Sequence, residues 1–227
     1  MGERAVNRIG VGSGIASVAL ELAGLLVGVA GGRSTVVPGS SVEAYARAFA
    51  DPVGPAFWIG AYLELVSFGL FLVFAGWLAS VLRRGGEQHA PAAAVALAAG
   101  VAYASISLVS LSLGNALGLR TGSRVDPALL AIVQEAAVAT YVATWVAAAT
   151  FSAAASAGLM ARSPWLARTG LGLALALLVA VGAASSELAQ LPMVLFLVWI
   201  LAAGIALGRG RHAKVSPTAP AMREASA

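Results

Sequence analysis

Residues 9 to 31 read IGVGSGIASVALELAGLLVGVAG, an apolar run with one acid, Glu21, near its middle. About 20 such residues in a helix cross a hydrocarbon core roughly 30 Å thick. Gly10, Gly14, Ser17, Glu21, Gly24, Gly28 and Gly31 recur at alternating steps of four and three. On a helix those steps return to one face. A face of such small residues lets another helix approach closely, so Gly10, Gly14, Ser17, Gly24 and Gly28 are expected to serve packing. Glu21 sits within the stripe, which points its carboxyl at protein rather than lipid. With Arg4 and Arg8 ahead of it the run also has the outline of a signal peptide. Its length, and an acid inside the apolar part, favour a true span.

Further runs of the same kind follow. The pattern predicts spans over about 9–31, 56–82, 91–118, 128–158, 169–187 and 191–208, a lead over 1–8 and a disordered tail over 209–227. Hydrophobic residues make up 59% of the chain and charged residues 11%. A soluble domain carries roughly 25% charged residues. The expected fold is therefore all-α: one polytopic six-helix transmembrane bundle whose first partner is the lipid bilayer. The small-residue faces also leave room for homo- or hetero-oligomers.

Residues 32 to 55 form the longest connection. Val37-Pro38-Gly39 reads as a turn. Ser40 with Glu43 three residues on is a capping-box signature. Val42, Tyr45, Ala46 and Phe49 then share a helical face, which predicts a short helix, either lying on the membrane surface or standing as a plain exposed loop helix. Asp51-Pro52 and Pro55 lead into the second span, where Trp58, Tyr62 and Trp77 fit interfacial aromatic belts. Pro91, Asp126-Pro127 and Ser163-Pro164 each mark a helix start, since proline is tolerated in a first turn. Gly100, Ala104, Ser107, Gly114 and Gly118 give the third span a small face of its own. Trp145 and Trp199 lie inside spans and read as packing or lipid contact, and Trp165 as an interfacial anchor.

The net charge of +4 comes from basic residues placed between spans. With the N-terminus in the cytoplasm, Arg4, Arg8, Arg83, Arg84, Arg162, Arg168, Arg209, Arg211, Lys214 and Arg223 fall inside, and Arg33, Arg47, Arg120 and Arg124 outside. That asymmetry predicts N-in, C-in, and explains the basic balance as topology rather than nucleic-acid binding.

Four glutamates lie within or at the ends of the expected spans: Glu21, Glu64, Glu135 and Glu187. In this topology all four fall between the bilayer centre and the outer surface, on different helices. Asn115, Gln134, Gln190, Ser67, Ser185 and Ser186 are placed to join them. An ionisable residue at mid-bilayer costs about 2.5–3.5 kcal/mol on insertion scales, so the acids are expected to face one another or water. The sharper expectation is an outward acidic pocket for a cation, a proton or a small cationic molecule, in which at least three glutamates converge. The alternative is a structural or accessory subunit whose protonated carboxyls link helices.

Any metal here would be held by oxygen alone, which suits hard cations. Cysteine is absent, and His89 and His212 fall on the side away from the acids. No G-x-S-x-G, H-E-x-x-H or Walker pattern occurs, and Gly10, Gly12 and Gly14 lack the preceding strand of a nucleotide loop. No catalytic residue and no cofactor is therefore expected.

Asn7-Arg8-Ile9-Gly10 opens the first span, a proline-containing loop with a small helix follows, and Arg162-Ser163-Pro164-Trp165-Leu166-Ala167-Arg168-Thr169-Gly170 leads into the fifth. Together these resemble a bacterial family of six-span membrane proteins catalogued as a domain of unknown function. The resemblance implies six spans in an inner membrane and carries over no catalytic residue.

Overall fold

The structure, a computed structural model, describes residues 2–32, 39–122, 125–183 and 190–209. Among them are seven α-helices: α1 (Glu3–Ala30), α2 (Val42–Ala48), α3 (Pro55–Arg83), α4 (Ala90–Gly118), α5 (Pro127–Leu159), α6 (Pro164–Gly182) and α7 (Leu191–Arg209). All but α2 are long and apolar enough to cross a membrane, so the chain is an all-α bundle of six candidate spans and an integral membrane protein. Glu187, Ser185 and Ser186, Val37 and Pro38 of the turn, and the tail over 210–227 lie outside the described residues.

The long helices pack in chain order. α1 lies on α3, α3 on α4, α4 on α5, α5 on α6 and α6 on α7; α7 returns to α1 and closes the ring. One end holds the Glu3–Arg84 ion pair (2.6 Å) and the bond from Arg162 Nη1 to the Val81 carbonyl (2.8 Å). We refer to it as the arginine-rich end. The opposite end carries α2.

The glycine stripe of α1 is spent on α3. Gly10 faces Trp77, Gly14 faces Phe74, and Gly24 and Gly28 meet Gly60 backbone to backbone. Ser13 and Ser17 turn their hydroxyls to the Gly10 and Gly14 carbonyls of their own helix, so the stripe presents no unpaired donor. This face is filled from within the chain and is not left over for a partner. At the arginine-rich half, Phe71, Phe74, Phe151, Phe196, Trp145 and Trp199 fill the ring. Their rings stack edge-on or tilted, as between Phe71 and Phe151 (5.3 Å) and Phe151 and Phe196 (6.1 Å).

Five local expectations change. The lead over 1–8 is not a separate segment, since α1 already begins at Glu3. The fifth span begins at Pro164 rather than near 169 and its helix ends at Gly182; the proline at its first turn sets the start. The cap of α2 is Ser41, whose hydroxyl accepts from the Ala44 N–H (3.3 Å), not Ser40. α2 is not a bare loop helix: Tyr45 and Phe49 are buried against Leu117 and Leu130 at the ends of α4 and α5, while Val42 stays exposed. Trp77 is 6% exposed and its indole N–H donates to Asn7 Oδ1 (3.1 Å), which makes it a bond between helices rather than part of an aromatic belt; Trp58 and Tyr62 do face outward.

Candidate functional site

In the half of the ring nearer α2 the helices enclose a cavity of about 510 Å³. Its walls come from α1, α3, α4, α5 and α7, with Phe49, Val53 and Thr121 at the α2 end. The floor is aromatic: Phe68 and Tyr103 line the cavity with their rings edge to face at 6.2 Å, and Phe71 packs behind Tyr103 at 4.9 Å.

Helical spacing explains which side chains reach it. On α5, Gln134, Ala137, Val138 and Tyr141 follow the i, i+3, i+4, i+7 rule and all line the cavity. On α4, Tyr103, Ser107, Leu111, Gly114 and Gly118 do the same along the small-residue face. Gly114 has no heavy atom within 4 Å of where a Cβ would stand, so part of the cavity is the space that side chain leaves.

Glu21 and Glu64 both line the cavity, on the contacting faces of α1 and α3. Glu64 is 7% exposed and lies over Gly24, one turn beyond Glu21; a Cβ on Gly24 would come within 2.8 Å of Glu64 Cγ. Ser67, one turn beyond Glu64, donates its hydroxyl to the Glu21 carboxyl. Two carboxyls and a hydroxyl thus sit within one turn of each other across a glycine-tight helix pair. Asn115 and Gln134 line the same space, as does Gln190, which accepts from the Tyr141 hydroxyl (3.1 Å). The Asn115 Oδ1 atom is buried and has no hydrogen-bond partner among the described residues. Among the described residues no Lys, Arg or His lines the cavity.

Glu135 is elsewhere. It follows Gln134 directly, and one residue is about 100° of helix, so the two side chains cannot share a face. Its carboxyl accepts from the Tyr45 hydroxyl (3.5 Å) and the Gly39 N–H (3.4 Å), and so ties α2 to α5. Burial, followed by the nearby Glu135 carboxylate, raises the Tyr45 pKa above its usual 10.0. Of the three candidate glutamates described, Glu21 and Glu64 converge and Glu135 does not; Glu187 lies outside the described residues. Among the described residues no three His, Cys, Asp or Glu side chains gather where a metal ion could be held.

Tyr103, Ser107 and Tyr141 are cavity residues that reading by residue type passes over. The signal was present: Tyr141 stands seven residues after Gln134, and Ser107 four after Tyr103. No family model, curated protein or solved structure matches this chain.

Proposed function

We propose that this integral membrane protein binds a small molecule bearing a positive or proton-donating group in the cavity between α1, α3, α4, α5 and α7. The observation that carries this reading is the meeting of Glu21 and Glu64 in one cavity that, among the described residues, no basic side chain lines. Two acids at membrane depth cost several kcal/mol by insertion scales, whereas an interhelical hydrogen bond in lipid averages about 0.6 kcal/mol. Linking α1 to α3 does not by itself offset that cost. A bound cation would.

The reading includes an orientation. Arg4, Arg8, Arg83, Arg84, Arg162 and Arg168 gather at the end away from α2, so the positive-inside rule places that end in the cytoplasm and the cavity toward the outside. The bacterial six-span family and its inner membrane belong to the same proposal. They rest on the Asn7–Gly10 and Arg162–Gly170 stretches.

The test is the melting temperature of the purified protein in detergent, across pH and in Mg²⁺, Ca²⁺, methylammonium and tetraethylammonium. A ligand at a hundred times its dissociation constant adds about 2.7 kcal/mol to the folded state. At least one of these cations should stabilise the protein. Glu64→Gln should abolish the effect, while Glu135→Gln, which lies outside the cavity, should keep it. A second reading, an accessory subunit without a ligand, is favoured by the Ser67–Glu21 bond. It becomes the better account if no cation shifts the melt and Glu21→Gln and Glu64→Gln melt like the parent.

A further inference from the structure

Among the described residues the cavity has an exposed rim, and that rim is one-sided. The lining residues of α3, α4 and α5 are all buried or half-buried. The exposed ones are Leu22, Leu25, Val29 and Gly32 along α1 and its end, and Gln190 and Val194 at the start of α7. These two helices are the pair that closes the ring. At the arginine-rich half they touch: a Cβ on Gly208 would stand 3.0 Å from Val11 Cγ2, and one on Gly204 3.9 Å from the Val11 carbonyl oxygen. In the other half both carry residues that look into the cavity and out of the bundle at once. Leu25 is 48% exposed and Val194 46%. Both belong to helices that span the membrane, within their apolar length, so the medium they meet is hydrocarbon.

We infer that the cavity opens sideways to the bilayer between α1 and α7, and that its ligand is an amphipathic amine drawn from the lipid phase. This rests on the cavity-binding reading above and names the ligand class. The ammonium head lies at Glu21 and Glu64, with the unpartnered Asn115 Oδ1 as a further acceptor. The apolar tail lies along Leu25, Leu197 and Met193 and leaves past Val194 into lipid. The volume, about 510 Å³, is within the roughly 300–1,000 Å³ range of small-molecule sites and far larger than a bare ion needs. A wall of mainly apolar side chains with its acids at one place suits a molecule with one polar end. A hydrated metal ion would gain nothing from the rest of that wall.

The experiment uses the full chain in phosphatidylcholine nanodiscs, with dodecylamine, dodecanol and butylamine as probes and the melting temperature as readout. Dodecylamine should raise the melting temperature by several degrees, dodecanol should not, and butylamine should act only at far higher concentration. Leu25→Trp and Val194→Trp fill the rim at positions already exposed, so the added ring has room on the outer side. Each should remove the dodecylamine shift and leave the butylamine shift in place. Glu135→Gln should keep both. If butylamine acts as strongly as dodecylamine and the rim variants change nothing, the lateral opening is wrong while the acidic cavity stands. If dodecanol matches dodecylamine, the ammonium head is wrong. If no amine shifts the melt, the amphipathic-amine ligand is wrong, and the cavity reading falls with it only if Mg²⁺, Ca²⁺, methylammonium and tetraethylammonium also leave the melt unmoved.

Discussion

Gly60 and Gly24 decide how closely α1 and α3 approach. A Cβ on Gly60 would stand 2.6 Å from both the Gly24 carbonyl oxygen and the Gly28 nitrogen, and both of these are backbone atoms that cannot swing aside. Gly60→Ala must therefore push the helices apart. Overpacking of this kind costs about 1–3 kcal/mol, and the melting temperature should fall accordingly. Gly69 on the same helix has nothing within 4 Å of its Cβ position, so Gly69→Ala is the control and should cost nothing. Equal melting of the two variants would remove the close-approach account. The stripe on α1 was legible because small residues repeat with the helical period, and so was its need for a neighbour. Which helix it meets was not, because any small face can pair with any other. The acids were only half legible for a related reason. Depth along a span can be estimated from the sequence, but direction around the helix must be computed residue by residue, and Glu135 differs from Gln134 by that angle alone.

α2 is held to the bundle by a buried tyrosine. The Tyr45 hydroxyl has its pKa raised chiefly by burial and then by Glu135, so the folded state favours the neutral phenol. The sign follows: this contribution is complete below pH 10 and is lost as the pH climbs through the raised value. The absorbance of ionised tyrosine, taken as parent minus Tyr45→Phe, should titrate above pH 10, and Glu135→Gln should lower that midpoint. A midpoint indifferent to Glu135→Gln would separate the two groups. At the other end of the pH scale, Glu43 has its pKa lowered from 4.5 by a backbone N–H and then by the Ser41 hydroxyl. Its support for the first turn is present above pH 4.5 and fades as the pH falls, so hydrogen exchange over residues 42–48 should lose protection in acid. The existence of α2 was readable from Val42, Tyr45, Ala46 and Phe49. Its seat was not, because an amphipathic face is equally served by lipid and by Leu117 and Leu130.

Ring closure is the one contact at the scale of the whole molecule that joins the two ends of the chain's helical order. Val11 Cβ lies 3.9 Å from where a Gly208 Cβ would stand. Cβ atoms of a disulfide lie about 3.5–4.5 Å apart, and the chain has no cysteine of its own. Val11→Cys with Gly208→Cys should oxidise within a single molecule and migrate as a compact monomer on a denaturing gel; cross-linked dimers instead would place α1 of one copy against α7 of another. Among the six long helices every other large contact is between neighbours in chain order. For biogenesis this means that each span can settle on its predecessor as it leaves the translocon. Glu21 meets Ser67 as soon as the next span arrives. The exit of α7 then turns an open crescent with both acids reachable from lipid into a closed ring that opens to lipid between α1 and α7.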